Sequence, residues 1–241
     1  MNRLADLVSF YALIDLLSDR LGGRMRFSDL KGRSWPGRGV YFFFDDNEQR
    51  RDSGEGPRIV RVGTHALKAG SRSTLRGRLS QHRGDRSGGG NHRGSIFRLL
   101  VGQALLTRGE ATICPSWGVK SDPGKASDVM NVEKSSLLSA ERPVEQAVSN
   151  YLSRLTFMRL GVEDEPGPGS LRGLIERNAI ALLSNFGRPA LDPPSINWLG
   201  LSSDRPLVAR SGLWNQRHIT EAHSPDFLRV LAGLVELETR T

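Results

Sequence analysis

Residues 39–46 read "GVYFFFDD": five β-branched or aromatic residues, Val40, Tyr41, Phe42, Phe43 and Phe44, stand in a row and end at two aspartates. A half-exposed strand alternates apolar and polar residues; this one does not, so it reads as a strand covered on both faces. Tyr41 raises a question within it. Its ring buries easily, but a buried hydroxyl needs a partner, and that partner is either a core acceptor or a reacting group.

The rest of the chain supplies elements to surround such a strand. "RIVRVG" (58–63) reads as a second strand, joined to the first through the polar loop "DDNEQRRDSGEGP" as a hairpin with a long connection. "TFMRLGVE" gives a third strand. At the N-terminus, Leu4, Leu7, Tyr11, Ile14, Leu17 and Leu21 recur at helical spacing among Asp6, Asp15 and Asp19. That pattern is an amphipathic helix ending at Gly22-Gly23 and not an export signal. "SRSTLRGRLSQHRG" reads as a basic helix capped by Ser73 or Thr74 and stopped by Gly84. "SIFRLLVGQALL" and "PVEQAVSNYLSRL" read as helices, the second with Pro143 in its first turn. "SLRGLIERNAIALLSNFG" is the clearest helix, with Ser170 as cap and Gly187 near its end. "SPDFLRVLAGLVEL" is an amphipathic helix capped by Ser224. Residues 107–142 show weak periodicity and read as an insertion; 85–94 read as a flexible connection, and 188–215 as an ordered coil.

Composition excludes several classes. No run approaches the roughly 18 apolar residues of a membrane helix. Cys114 is the only cysteine, which rules out an intrachain disulfide and a thiolate zinc cluster; a cytoplasmic setting is expected. The net charge is +8, and it is concentrated. Between residues 58 and 98 stand Arg58, Arg61, Lys68, Arg72, Arg76, Arg78, Arg83, Arg86, Arg93 and Arg98, against Asp85 alone. Arginine forks onto phosphate oxygens, so a polyanion, nucleic acid first, is the expected partner. The alternative is a solvated basic face without a ligand.

Taken in order, several short stretches form a set. "GVY" (39–41) ends one strand's start and "RVG" (61–63) ends the next. "LRGRLSQH" (75–82) carries Arg78 and His82 four residues apart, on one helical face. "IERNAIALL" (175–183) carries Glu176, and "LWN" (213–215) carries Asn215. In this order they resemble the GIY-YIG nuclease superfamily, closest to its restriction-endonuclease-like branch, over about residues 38–215. Two departures stand out: Arg61 replaces the tyrosine of the second tripeptide, and a long stretch separates His82 from Glu176, for which segment 107–142 accounts.

The resemblance implies an α+β fold: a small, three-stranded, mainly antiparallel sheet near 39–44, 58–62 and 156–162, flanked by helices, with extra helices at both ends. The expected division is an N-terminal helix and linker (1–37), a core with its insertion (38–215), and a C-terminal helix (216–241). It also implies a metal-dependent endonuclease acting on double-stranded DNA, in restriction or defence, with a homodimer as one open arrangement. Glu176 would bind Mg²⁺ or Mn²⁺ and Arg78 would hold the scissile phosphate. Tyr41 would act on the attacking water, and His82 would share the base role or orient the phosphate. An ordinary tyrosine is a poor base at pH 7, so cationic neighbours are needed; Arg61 and Arg78 are the candidates. Arg61, His65, Arg76, Asn91, His92, Arg93 and Asn215 are expected on the nucleic acid. The rival readings are structural: Tyr41 as a core tyrosine, Arg78 and His82 as an exposed face, Glu176 paired with Arg172, Asn215 as a turn cap. His218 and His223 read as surface residues. At the level of the whole protein, the alternatives are a binding module without turnover and an RNA-directed nuclease.

Overall fold

The computed structural model describes residues 2–31 and 34–238. Its centre is a sheet of three antiparallel strands, β1 (Gly39–Gln49), β2 (Pro57–Thr64) and β3 (Thr156–Gly161), in the order β2-β1-β3. The apolar run is the middle strand, as its pattern demands. Val40, Phe42 and Phe44 point to one face, where α1 (Arg3–Leu21), α6 (Leu171–Leu183) and α8 (Asp226–Leu237) pack. Tyr41 and Phe43 point to the other, against α2 (Leu75–Arg83), α3 (Ile96–Thr107) and α5 (Lys134–Arg154). The terminal helices therefore share the core of the sheet.

The strands begin where the sequence puts them, but β1 runs on to Gln49 through its charged end. A register shift lies between Phe43 and Phe44: Phe43 faces Arg61 while Phe44 faces Ile59, so β2 carries one extra residue there. Such a β-bulge turns two consecutive side chains to one face. Val60 and Arg61 both join the Tyr41 side, and Ile59 and Val62 stay on the other. The outer edge of β3 is covered. Met25 pairs with Phe157 through both backbone groups, and the Glu238 carboxylate accepts from Gly161 N–H and pairs with Arg159.

Three sequence expectations change. The insertion is helical in its second half: α4 (Pro123–Met130) leads into α5, which starts at Lys134 and leaves Pro143 in its interior. The early half of α5 is held by tertiary contacts that proline cannot outweigh, since Leu137 and Glu141 are buried and Glu141 receives a fork from Arg93 at 2.6 and 2.8 Å. The segment 85–94 is pinned. Asp85 accepts from Ser87 and Gly89 N–H, and Glu145 of α5 accepts from His92 N–H at 2.6 Å and from His92 Nδ1 at 3.0 Å. The coil 188–215 contains a one-turn helix at Leu199–Ser202 and α7 (Pro206–Ser211), between the buried Trp198 and Trp214.

Candidate active site

A cleft of about 690 Å³ opens beside β2, where the two helical layers meet. Tyr41, Arg61, Arg78 and Gln81 line it from the α2 side, and Glu176, Arg217 and His218 from the α6 side. Thr64 and His65, at the end of β2, form its floor.

Tyr41 is 1 % exposed, and its hydroxyl lies 2.8 Å from His82 Nε2. The His82 ring is fully buried, edge-on to Tyr41, Phe43 and Phe97, and its Nδ1 lies 2.8 Å from Ser95 Oγ. Helix α2 places His82 inward by its capped start, Thr74 Oγ1 accepting from Gly77 N–H, and by Leu75 and Leu79 on the same buried face. Arg98 holds the far end: it donates to the His82 carbonyl at 3.0 Å and pairs with Glu145 at 2.6 Å. Burial above all, then Arg61, Arg78 and Arg98, holds His82 well below its ordinary 6.5. It is neutral, so one ring nitrogen is free to accept. With the proton on Nδ1 toward Ser95, Nε2 accepts from Tyr41. Gly63 faces Tyr41 across the strands, and the ring covers it so closely that a Cβ there would stand 2.5 Å from Tyr41 Cζ. That glycine seats the tyrosine.

Arg61 faces Phe43, two residues along β2 from Gly63 and so on the same face as Tyr41. Its guanidinium donates to the Trp214 carbonyl and lies 4.7 Å over the Phe97 ring. Burial lowers its pKa; Tyr41 and Glu176 work in the opposite direction. Arg78 stays half-buried at the rim, donating to Gln81 and to the Gly94 carbonyl.

Glu176 accepts from Thr64 N–H at 3.1 Å. Burial raises its pKa above the ordinary 4.5, opposed by Arg61 and that backbone N–H. Arg172 is not its partner. It is fully buried on Asp164 and on the carbonyls of His65 and Ala66, so it fixes the turn that forms the floor. Among the described residues no group of three or more His, Cys, Asp or Glu could hold a metal ion. A single carboxylate in an open cleft does not suit zinc, but it suits a hard cation that keeps most of its waters.

The other expected residues divide. His65 lines the cleft; burial first, then Arg172, brings its pKa down to about 4, and its Nδ1 faces the Ser73 carbonyl at 3.1 Å. Asn215 also lines the cleft, but its amide is spent on Val62: Oδ1 accepts from the backbone N–H and Nδ2 donates to the carbonyl. Arg76 is exposed on α2 outside the cleft. Asn91, His92 and Arg93 lie elsewhere, along a second groove against α5. There Asn91 caps a short turn, His92 stacks on Trp117 at 3.9 Å, and Arg93 is spent on Glu141. His92 and Arg93 hold the loop to the helix through Glu145 and Glu141. Sequence reading missed Gln81, Ser95, Arg217 and His218. His223 is buried on Asp6, at 2.9 Å, and is not a surface residue.

A three-stranded antiparallel sheet between two helical layers, with a tyrosine, arginines and one carboxylate around a cleft at its edge, defines an α+β domain. The chain belongs to the GIY-YIG family: the model for the GIY-YIG domain matches residues 1–240. The match extends through both terminal helices. Members of this family are endonucleases, so the coarse class is a nuclease, a hydrolase acting on nucleic acid. No curated protein and no solved structure matches the chain. No helix among the described residues is long and apolar enough to cross a membrane.

Proposed function

We propose that the protein is a divalent-metal-dependent endonuclease that hydrolyses phosphodiester bonds in double-stranded DNA. The observation that carries this reading is the Tyr41–His82 pair opening onto the same cleft as Glu176, with Arg61 and Arg78 beside it. Arg78 holds the scissile phosphate and neutralises the charge that grows on it in the transition state. Arg61 adds positive potential from behind the tyrosine. The attacking water gives its proton to the Tyr41 oxygen as the tyrosine proton passes to His82 Nε2. A relay of this kind needs no tyrosinate at rest. The three arginines near His82 disfavour the imidazolium; the phosphate on Arg78 offsets part of that, so the base strengthens once substrate is bound. Glu176 would hold Mg²⁺ or Mn²⁺, with water and phosphate oxygens completing the shell. When bound, such an ion stabilises charge on the leaving oxygen.

A nucleic-acid substrate is favoured by the unpaired cations on and around the helix that carries Arg78. Among the described residues Lys68, Arg72, Arg76, Arg83 and Arg86, on or flanking α2, make no ion pair. They can follow the phosphates that flank the one held by Arg78. A second reading, a binding module without turnover, is favoured by one fact: Arg61 spends its guanidinium on Trp214 and Phe97.

The test is a nicking assay with supercoiled plasmid at low salt, in Mg²⁺, Mn²⁺ or EDTA, with Glu176→Ala alongside. Metal-dependent nicking that the substitution abolishes is the expected result. Binding in a gel shift with intact plasmid in every lane would favour the second reading. Cleavage of RNA alone would change the substrate. Restriction or defence is the proposed setting, and protection of cells against incoming plasmid or phage DNA tests it.

A further inference from the structure

The relay assigned to Tyr41 and His82 accounts for the proton leaving the water. Nothing in it supplies a proton to the oxygen that departs. An in-line displacement places these two oxygens on opposite sides of the phosphorus, so the donor must come from the other wall of the cleft.

That wall is α6 and the segment strapped along it. Ser184 donates to the Ile219 carbonyl at 2.8 Å, Ser224 N–H donates to Asn178 at 2.7 Å, and Arg177 pairs with Glu221 at 3.2 Å. These contacts fasten residues 219–224 to the helix that carries Glu176. At the start of the strap His218 has φ 62°, a left-handed conformation uncommon for a side chain of this size. Its Nδ1 lies 2.7 Å from Glu221 Oε1. A carboxylate only accepts, so Nδ1 carries the proton and the ring is oriented. Its Nε2 has no hydrogen-bond partner among the described residues, is not sealed from solvent, and belongs to a side chain that lines the cleft. The charged groups around it are Glu176 and Arg177 of α6, Glu221 and Arg217 of its own segment, and Arg61 and Arg78 across the cleft. Arg217 and His218 line the same cleft as Glu176 and oppose the rise that burial gives its pKa.

We propose that His218 is the general acid of the cleavage reaction, with Glu221 as its positioning residue. This rests on the nuclease reading above. The bond from the water oxygen to phosphorus forms as the bond from phosphorus to the leaving oxygen breaks. The water's proton enters the Tyr41–His82 relay, while His218, starting as the imidazolium, gives its Nε2 proton to the leaving oxygen, keeps its Nδ1–H on Glu221 as the neutral ring, and is reprotonated from solvent.

The test compares an ordinary DNA substrate with one in which sulfur replaces the bridging oxygen on the leaving side, 3′ or 5′ as end-group analysis of the products determines. A thiolate departs without a proton. The variant is His218→Asn, since asparagine accepts the left-handed backbone, with Glu221→Gln as the companion. The variant-to-wild-type rate ratio is read on each substrate in Mn²⁺. The expected result is a loss of about 100- to 10,000-fold on the oxygen substrate and near-equal rates on the sulfur substrate, with a smaller loss of the same pattern for Glu221→Gln. Equal losses on both substrates, or no loss on either, would overturn the proposal while the nuclease reading stands. A wild-type protein that cuts neither overturns both.

Discussion

A methyl group placed on Gly63 tests the seat of the tyrosine directly. The Cβ of Gly63→Ala would lie 2.5 Å from Tyr41 Cζ and 2.6 Å from Cε2. Carbon atoms pack at about 3.5–4.0 Å, so roughly 1 Å of room must be created. The ring has little freedom to retreat: it is 1 % exposed, held edge-on to Phe43 and His82, and tied through its hydroxyl. Overpacking costs about 1–3 kcal/mol, and with both partners in a sheet the upper end applies. At about 2–4 °C per kcal/mol for a chain of this size, the melting temperature should fall by about 6–12 °C. Typical stabilities are about 5–15 kcal/mol, so the variant stays folded at 25 °C and its activity can be read. A hydroxyl displaced by about 1 Å should lower nicking by about 100-fold. Circular-dichroism melts and single-turnover nicking, both against wild type, measure the two effects. A variant that melts within 2 °C of wild type and nicks at the same rate would refute the idea that this glycine exists to seat Tyr41.

Four further outcomes are expected. Gly233→Ala, in the interior of α8 with nothing within 4 Å of its Cβ, should stabilise the fold by about 1 kcal/mol, seen as a higher melting temperature. Glu145→Ala strands Arg98 and His92, both buried on that carboxylate, and should cost about 3–5 kcal/mol in urea unfolding. Glu176 sits above its ordinary 4.5 in the folded state, so its contribution is full below that pH and falls as pH rises through the raised value. Glu176→Gln should therefore melt higher than wild type at pH 8 without metal, the gap closing toward pH 4, and only wild type should gain stability from added Mg²⁺. His65 sits at about 4 instead of 6.5; its contribution is full above 6.5 and is lost as pH falls through that window, so His65→Gln should flatten the acid side of the melting profile.

The sheet was legible because its signals are local. Five apolar residues from Val40 to Phe44 demand a covered strand, and Ser170 capping Gly173 N–H marks the start of α6 within one turn of chain. The bulge was not legible. It depends on how β2 meets β1, and it decides that Val60, and not Ile59, packs on the Tyr41 side of the sheet. The basic segment was legible only as a sum. Arg58, Arg93 and Arg98 are neutralised by Glu48, Glu141 and Glu145, and two of those three partners lie on a helix far along the chain. Pro143 suggested a helix start because proline favours a first turn; the buried face from Leu137 to Glu141 extends the helix past it. His218 has its partner Glu221 three residues on, but nothing local marks it for the site, since the cleft it shares with Glu176 forms only once the strap lies on α6.

Because the cleft draws one wall from each side of the sheet, its residues run from Tyr41 to His218 along the chain. During synthesis the N-terminal portion emerges first, bringing Tyr41, Arg61, Arg78 and His82 out of the ribosome well before Glu176. On the proposed roles, a nascent chain would for most of that interval carry the phosphate-holding arginine without the metal-binding carboxylate. A nuclease assembled this way would stay inert until nearly the whole of its sheet and both helical layers are in place.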